Sequence, residues 1–475
     1  MDLQLILFVL TIVFGFYMAF NIGANDVANA MGTSVGSGAL TLKKAVIIAA
    51  ILEFSGAFLI GSRVTQTLQT GIVHTAIFEH DALHFVYGML GALLATGIWL
   101  QVASYFGWPV STTHAIVGAI LGFGIAAGGL KAILWKNVFF IATSWVLSPL
   151  FAGVLSYFIF SILQKTVLFS LKPIKATQKV VPIFVFFALF VLFLAVLFDG
   201  LKSLKFDVSW HITFGIAFCI GLVGYFLSKL LIRKKLQVLK TEVKEITHHP
   251  QSTQFLRKAM KHLQRVSLHS TGDLRKESKE LFKQTKTLYQ TTQKQLKTTS
   301  DQGKYNFVEK VFAMLQILSA CFVAFAHGSN DVANAIGPVA AIVVYLKTNT
   351  LELSNVGVPI WVLAFGGVGI VIGLAVWGWR VIETVGKKIT ELTPTRGFCA
   401  EFSAAITILI ATKLAMPVST TQSLVGALLG VGLARGFSAL NLKTIRDILV
   451  SWAITIPVSC ILSMILFYLF IAFFP

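Results

Sequence analysis

Gly23-Ala24-Asn25-Asp26-Val27-Ala28-Asn29-Ala30 returns, almost unchanged, as Gly328-Ser329-Asn330-Asp331-Val332-Ala333-Asn334-Ala335. A second pair follows in the same order: Pro109-Val110-Ser111-Thr112-Thr113-His114 and Pro417-Val418-Ser419-Thr420-Thr421-Gln422. A weaker third pair lies between them, Gly61-Ser62-Arg63-Val64 with Gly378-Trp379-Arg380-Val381. Three matches in one order mark an internal duplication rather than independent helix-packing motifs.

The surroundings of these boxes say what was duplicated. Of 475 residues, 56% are hydrophobic and only 12% charged. A soluble domain carries about a quarter charged residues, so lipid is the expected solvent. About twelve apolar segments approach the length a helix needs to span a bilayer. They lie near residues 3–30, 43–61, 84–106, 109–128, 137–163, 180–200, 211–231, 307–346, 357–379, 396–414, 417–435 and 444–474. Runs such as Val180–Leu197 do not alternate as barrel strands would. The expected fold class is therefore an all-α integral membrane protein with broken or re-entrant helices. Met1-Asp2 gives no basic n-region, so Leu3–Phe20 reads as a retained helix rather than a cleaved signal.

The formal net charge of +19 sits mostly in one segment between apolar blocks. That favours a basic cytoplasmic loop and excludes nucleic acid as the expected partner. Within it, Leu236, Leu239, Val243 and Ile246, then Leu256, Met260 and Leu263, fall at helical spacing. The expected organisation is a first membrane repeat (1–163), inserted spanning segments (164–232), a basic helical loop (233–306) and a second membrane repeat (307–475). Cys219, Cys321, Cys399 and Cys460 sit in apolar runs without a CxxC pair and read as small core residues.

With the loop in the cytoplasm, both termini fall outside. Lys43-Lys44, the Lys165/Lys172/Lys175/Lys179 group, Arg380/Lys387/Lys388 and Arg435/Lys443/Arg446 fall inside, and Glu79-His80-Asp81 outside. Lys131 and Lys136 break the pattern. Seven segments separate the start of one copy from the start of the other. Seven is odd, so the copies enter the membrane from opposite faces, the plan of many secondary transporters with a mid-membrane site.

The boxes suggest chemistry. A carboxylate at membrane depth is costly and marks a functional candidate. Asp26 and Asp331 sit where an apolar helix meets a Gly/Asn-rich stretch, and a helix break is expected there. Their oxygens, with those of Asn25, Asn29, Asn330 and Asn334, suit a small hard cation. An oxygen cage without His or Cys favours Na+. The Pro-Val-Ser-Thr-Thr passages read as helix starts, with Pro in the first turn and Ser or Thr at the cap. A helix N-terminus offers free N–H groups and partial positive charge to an anion. Ser and Thr also cement helix packing in membranes, which is the bland alternative. No Lys or Arg is evident at the site, so a co-transported cation is the natural neutraliser of an anionic load.

The GANDVANA and GSNDVANA boxes, with PVSTTH and PVSTTQ, resemble the inorganic phosphate transporter (PiT) family of sodium- or proton-coupled phosphate carriers. The resemblance covers both halves and skips the central loop. It implies phosphate transport by symport across the cytoplasmic membrane, an inverted-repeat fold and a homodimer, with no enzymatic activity and no organic cofactor. It implies Na+ ligation by Asp26 and Asp331 with neighbouring Asn residues. Ser111, Thr112, Thr113, Ser419, Thr420 and Thr421 would line the phosphate site, with Gln422 and Ser329 as candidates beside them.

The copies differ in three places. Ala24 faces Ser329, His114 faces Gln422, and Leu93 stands where Glu401 stands in the second copy. His114 leaves proton coupling open. Glu53 and Glu401 are buried-looking carboxylates that fit either cation ligation or structural hydrogen bonding, with the structural reading ahead. The competing functions are an H+-coupled phosphate permease, a sulfate permease, and an ion channel in which the paired Asp residues form a ring. A membrane enzyme ranks last, because HExxH and Walker motifs are missing from the sequence.

Overall fold

The computed structural model describes residues 3–78, 81–200, 208–239, 252–296, 301–351, 357–379, 381–382, 392–436 and 442–474. Glu79, His80, Val243, Ile246, Arg380, Lys387 and Lys388 of the sequence expectations lie outside them. The described residues are almost wholly helical, with one isolated bridge between Val73 and Ile133. An apolar chain in lipid must satisfy its backbone groups internally, and helices do so within each segment.

In chain order the first half runs α1 (Leu3–Gly36), α2 (Leu42–Ile60), α3 (Ser62–Thr70), α4 (Ala82–Tyr105), α5 (Thr112–Gly128) and α6 (Trp135–Leu163). Then come α7 (Pro173–Ala195), α8 (Trp210–Leu239), α9 (Ser252–His269) and α10 (Gly272–Leu296). The second half is α11 (Asp301–Thr348), α12 (Ile360–Trp377), α13 (Pro394–Lys413), α14 (Thr420–Arg435) and α15 (Leu442–Phe473). Each of the apolar segments falls on one of these helices. Among the described residues, 9 helices are long and apolar enough to cross a membrane, or 10 if α2 and α3 form one span bent by 64° at Gly61.

Two compact units emerge. One comprises Met1–Phe160, Val185–Val223 and Ala313–Pro475; the other comprises Ser161–Phe184 and Gly224–Phe312. The duplicated boxes all lie in the first. In the second, α9 and α10 pack as a pair, and Leu256, Met260 and Leu263 lie half-buried on one face of α9, as their spacing implies.

The helix break expected at the two Asp boxes is not there. Both α1, with 34 residues, and α11, with 48, run through their box without interruption. The glycines permit close approach instead of breaking the helix. A Cβ added at Gly23 would lie 1.9 Å from the Ile370 carbonyl oxygen of α12, and one at Gly328 would lie 2.1 Å from the Glu53 carbonyl oxygen of α2. Small residues that let backbones touch are a common device of membrane helix packing. The bend falls one helix later, at Gly61, where a Cβ would meet Val332 at 2.5 Å; at Gly378, the end of α12, it would meet Val27 at 2.3 Å. The third, weaker sequence pair thus touches the box of the opposite copy in both halves.

Candidate functional site

Helix periodicity places Asp331 one turn after His327 and Asn29 one turn after Asn25, so each pair shares a helix face. Asp26 and Asp331 are fully buried. Between them stands His327: its Nε2 lies 3.0 Å from Asp331 Oδ2 and 3.8 Å from Asp26 Oδ2, and its Nδ1 lies 3.3 Å from Glu53 Oε1. Ligand atoms of Asp26, His327 and Asp331 all fall within 4.8 Å of one another. The expectation of a His-free cage is therefore corrected. The signal was available in the sequence: a histidine four residues before a carboxylate on one apolar helix faces the same way. The pairing with Glu53 was not legible, because it depends on how α2 crosses α11.

Several buried oxygens in this cluster have no hydrogen-bond partner: Asp26 Oδ2, Asp331 Oδ1, Asn25 Oδ1, Asn330 Oδ1 and Asn334 Oδ1. Leaving such a group unsatisfied costs about 1–3 kcal/mol each. Carboxylate and amide oxygens are the donor set of a hard cation. The residues present therefore fit Na+ as cargo.

The amide nitrogens of the same Asn side chains are engaged. Asn25 Nδ2 donates to Ser104 Oγ and to the Trp108 carbonyl, both at 3.1 Å. Asn330 Nδ2 donates to Thr412 Oγ1 at 2.9 Å and to the Met416 carbonyl at 3.2 Å. Trp108 and Met416 each precede the proline that opens a Pro-Val-Ser-Thr-Thr passage. Each Asn therefore anchors its own hairpin loop by nitrogen and keeps its oxygen unpaired.

The two passages start helices with Ser at the cap as expected, but Pro109 and Pro417 lie two residues before the cap rather than in the first turn. Ser111 is the N-cap of α5 and accepts from the His114 N–H at 3.2 Å; Ser419 caps α14 and accepts from the Gln422 N–H at 3.2 Å. The tips interlock. Thr113 Oγ1 donates to the Val418 carbonyl at 2.9 Å, and Thr421 Oγ1 donates to the Val110 carbonyl at 3.1 Å. Two helix N-termini thus meet against the Asp cluster, each bringing about half a positive charge.

Further bonds join the tips to the Asp boxes, within a copy and across the two. Asn29 Nδ2 donates to Thr421 Oγ1 at 2.8 Å and to Asp26 Oδ1 at 3.1 Å. Asn334 Nδ2 lies 3.2 Å from both Thr112 Oγ1 and Thr113 Oγ1. Thr420 Oγ1 donates to Asp331 Oδ2 at 2.6 Å, and Thr421 Oγ1, whose one proton goes to Val110, lies 3.4 Å from Asp26 Oδ1.

Not every candidate converges. Ser329 Oγ donates to the Ala326 carbonyl of its own helix at 2.7 Å. Gln422 is buried, and its Oε1 has no partner. His114 packs against Trp145 with ring centroids 4.0 Å apart. Glu401 sits among its own donors: Ser319 at 2.6 Å, Ser34 at 2.7 Å, Gln316 at 3.2 Å, and a close contact from Thr33.

A duplicated helical membrane core with a buried carboxylate cluster and two helix N-termini at one place defines a transporter of ions rather than an enzyme. The chain belongs to the phosphate transporter family, whose model matches residues 22–463. It is 42% identical to the inorganic phosphate transporter 2-1, chloroplastic, of Arabidopsis thaliana over 97% of this chain and 71% of that protein. It is 43% identical to a putative phosphate permease of Chlamydia pneumoniae over 99% of this chain and 100% of the relative. A solved structure titled the sodium-dependent phosphate transporter superposes with a TM-score of 0.79 at 34% identity, covering 98% of this chain and 99% of that one. The protein is thus a multi-pass membrane phosphate transporter.

Proposed function

We propose that the chain carries inorganic phosphate in symport with Na+, by alternating access of one site shared between two inverted repeats. The observation that carries this reading is the set of hydrogen bonds from Asn29 to Thr421 and from Asn334 to Thr112 and Thr113. They join the candidate cation cage to the candidate anion cradle, so filling one rearranges the other. In this reading Asp26, Asp331 and the Asn oxygens hold Na+. The N–H groups and hydroxyls of Ser111–Thr113 and Ser419–Thr421 hold phosphate, with Gln422 at the rim.

Charge supports the pairing. Three carboxyl groups, Asp26, Asp331 and Glu53, stand beside a single imidazole, and no Lys or Arg is paired with them among the described residues. A lone phosphate dianion would add two charges to a dry site lined with carboxyl groups, which is prohibitive. The dianion with two Na+ adds none. The solved neighbour is titled as sodium-dependent, in line with Na+ as the partner ion here.

Inverted topology rests on parity. At 16 residues, α14 is about 24 Å long, short of a bilayer core. If the α4–α5 and α13–α14 hairpins both enter and leave by one face, each removes two crossings. Five crossings then separate α1 from α11, still an odd number, so the copies still face opposite sides.

Uptake of labelled phosphate into proteoliposomes under separate Na+ and H+ gradients tests the proposal. Saturable uptake driven by Na+ and resistant to excess sulfate is expected. Uptake driven equally by H+ alone would assign proton coupling, competition by sulfate would widen the cargo, and failure to saturate would indicate a channel.

A further inference from the structure

We propose that α9 is a docking surface for an anionic lipid headgroup layer, holding the basic loop flat against the leaflet it faces. Three observations combine. First, α9 contains Arg257, Lys258, Lys261 and Arg265 and no Asp or Glu, whereas its partner α10 contains Asp273, Glu277 and Glu280. Both helices are basic, α10 through Arg275, Lys276, Lys279, Lys283, Lys286 and Lys294, but only α9 carries its cations without interspersed carboxylates.

Second, α9 has two apolar faces. Leu256, Met260 and Leu263 are turned inward. Phe255, Ala259 and Val266 form a second strip beside them, roughly a quarter-turn around the helix, where Phe255 is 57% and Val266 42% exposed. Lys258 and Arg265 flank this strip within a turn, and both are exposed. An apolar strip bordered by cations is the pattern of a helix lying in a membrane interface, where the strip enters the headgroup boundary and the cations meet phosphates.

Third, the structure fixes the height of this face within its own unit. Phe255, near the start of α9, packs edge-on against Phe169 with centroids 6.4 Å apart. Phe169 lies in the short turn between α6 and α7, two helices apolar and long enough to span. A turn joining two spans lies at the membrane surface, so α9 begins there. Leu171 in the same turn is 89% exposed. In α8 the Lys229 ammonium sits 5.6 Å from the Tyr225 ring centre, a Tyr–Lys pair typical of the interface belt.

The test uses the full-length protein in nanodiscs of phosphatidylcholine alone or with about one third phosphatidylglycerol. Hydrogen–deuterium exchange is read across residues 252–269. Slower exchange in the anionic discs is expected, reversed at about 1 M salt, where screening shortens to about 3 Å. In the combined variant Lys258→Gln, Lys261→Gln, Arg265→Gln the docked-to-undocked ratio should fall about a hundredfold. The same variant reconstituted in proteoliposomes should retain phosphate uptake, which reports that it is folded. Equal exchange in both lipids, or protection that survives the triple substitution, overturns the proposal. So does protection that appears in neutral discs only on adding an RNA or polyglutamate, which would assign the surface to a polymer.

Discussion

The two places where a box helix crosses its neighbour are built alike and filled differently. Where α1 meets α12, Gly23 touches the backbone at Ile370 and Gly373 touches it at Phe20. Where α11 meets α2, Gly328 touches the backbone at Glu53 and Gly56 touches it at Phe325. The backbone contacts correspond one to one. The side chains do not: Ile22 and Ile370 occupy the first crossing, and His327 and Glu53 the second. The scaffold was kept two-fold while ionic chemistry was placed on one side. That asymmetry goes beyond the Ala24/Ser329 and His114/Gln422 differences, and it sits against the carboxylates themselves.

The comparison can be broken in graded ways. The largest effect is expected from Asp26→Asn or Asp331→Asn, each of which should abolish Na+-driven uptake in protein that still inserts and folds. Near-normal uptake in both variants would remove the assigned role.

The next effect isolates the ionic crossing. Glu53 and His327 are fully buried, so His327→Ile alone strands a carboxylate and should cost about 3–5 kcal/mol of stability. Adding Glu53→Ile recreates the apolar crossing of the other half and should recover the share of that loss due to Glu53, though not the share due to Asp331, which also loses the imidazole, while leaving uptake impaired. Thermal unfolding of the single and double variants in detergent reads the difference. A double variant no more stable than the single would show that the two crossings are not interchangeable scaffolds.

Smaller and symmetric effects should follow Gly23→Ala and Gly328→Ala. Each puts a methyl group against a carbonyl oxygen, at 1.9 and 2.1 Å, and overpacking of this kind costs about 1–3 kcal/mol. Similar losses support matched crossings, and a large inequality in denaturation midpoints argues against them. Smallest of all, Ser104→Ala and Thr412→Ala each remove one acceptor of an Asn amide whose second acceptor stays. About 1 kcal/mol is expected from each, with uptake largely kept.

Much of this was legible from the chain alone, for identifiable reasons. Capping is local, so the starts of α5 and α14 follow from Pro-Val-Ser-Thr-Thr. Apolar length is local too, and the expected segments fall on helices. What escaped was non-local or ambiguous. Glycine in Gly23 and Gly328 either ends a helix or lets another backbone approach, and only the position of α12 and α2 decides between them. His327 could have been placed beside Asp331 from periodicity, but not between Asp26, Asp331 and Glu53. The second acceptors of Asn25 and Asn330 are backbone carbonyls, which leave no mark in a sequence pattern.

Cation and phosphate are proposed to share one hydrogen-bonded lattice. Equilibrium binding of labelled phosphate to the purified protein, titrated with Na+ at constant ionic strength, tests it most directly. Linkage requires that whatever Na+ does to phosphate affinity, phosphate does equally to Na+ affinity. Phosphate should bind poorly without Na+ and tighten steeply as Na+ rises, and Asp26→Asn should flatten the dependence. Phosphate affinity that stays the same from zero to saturating Na+ would contradict it.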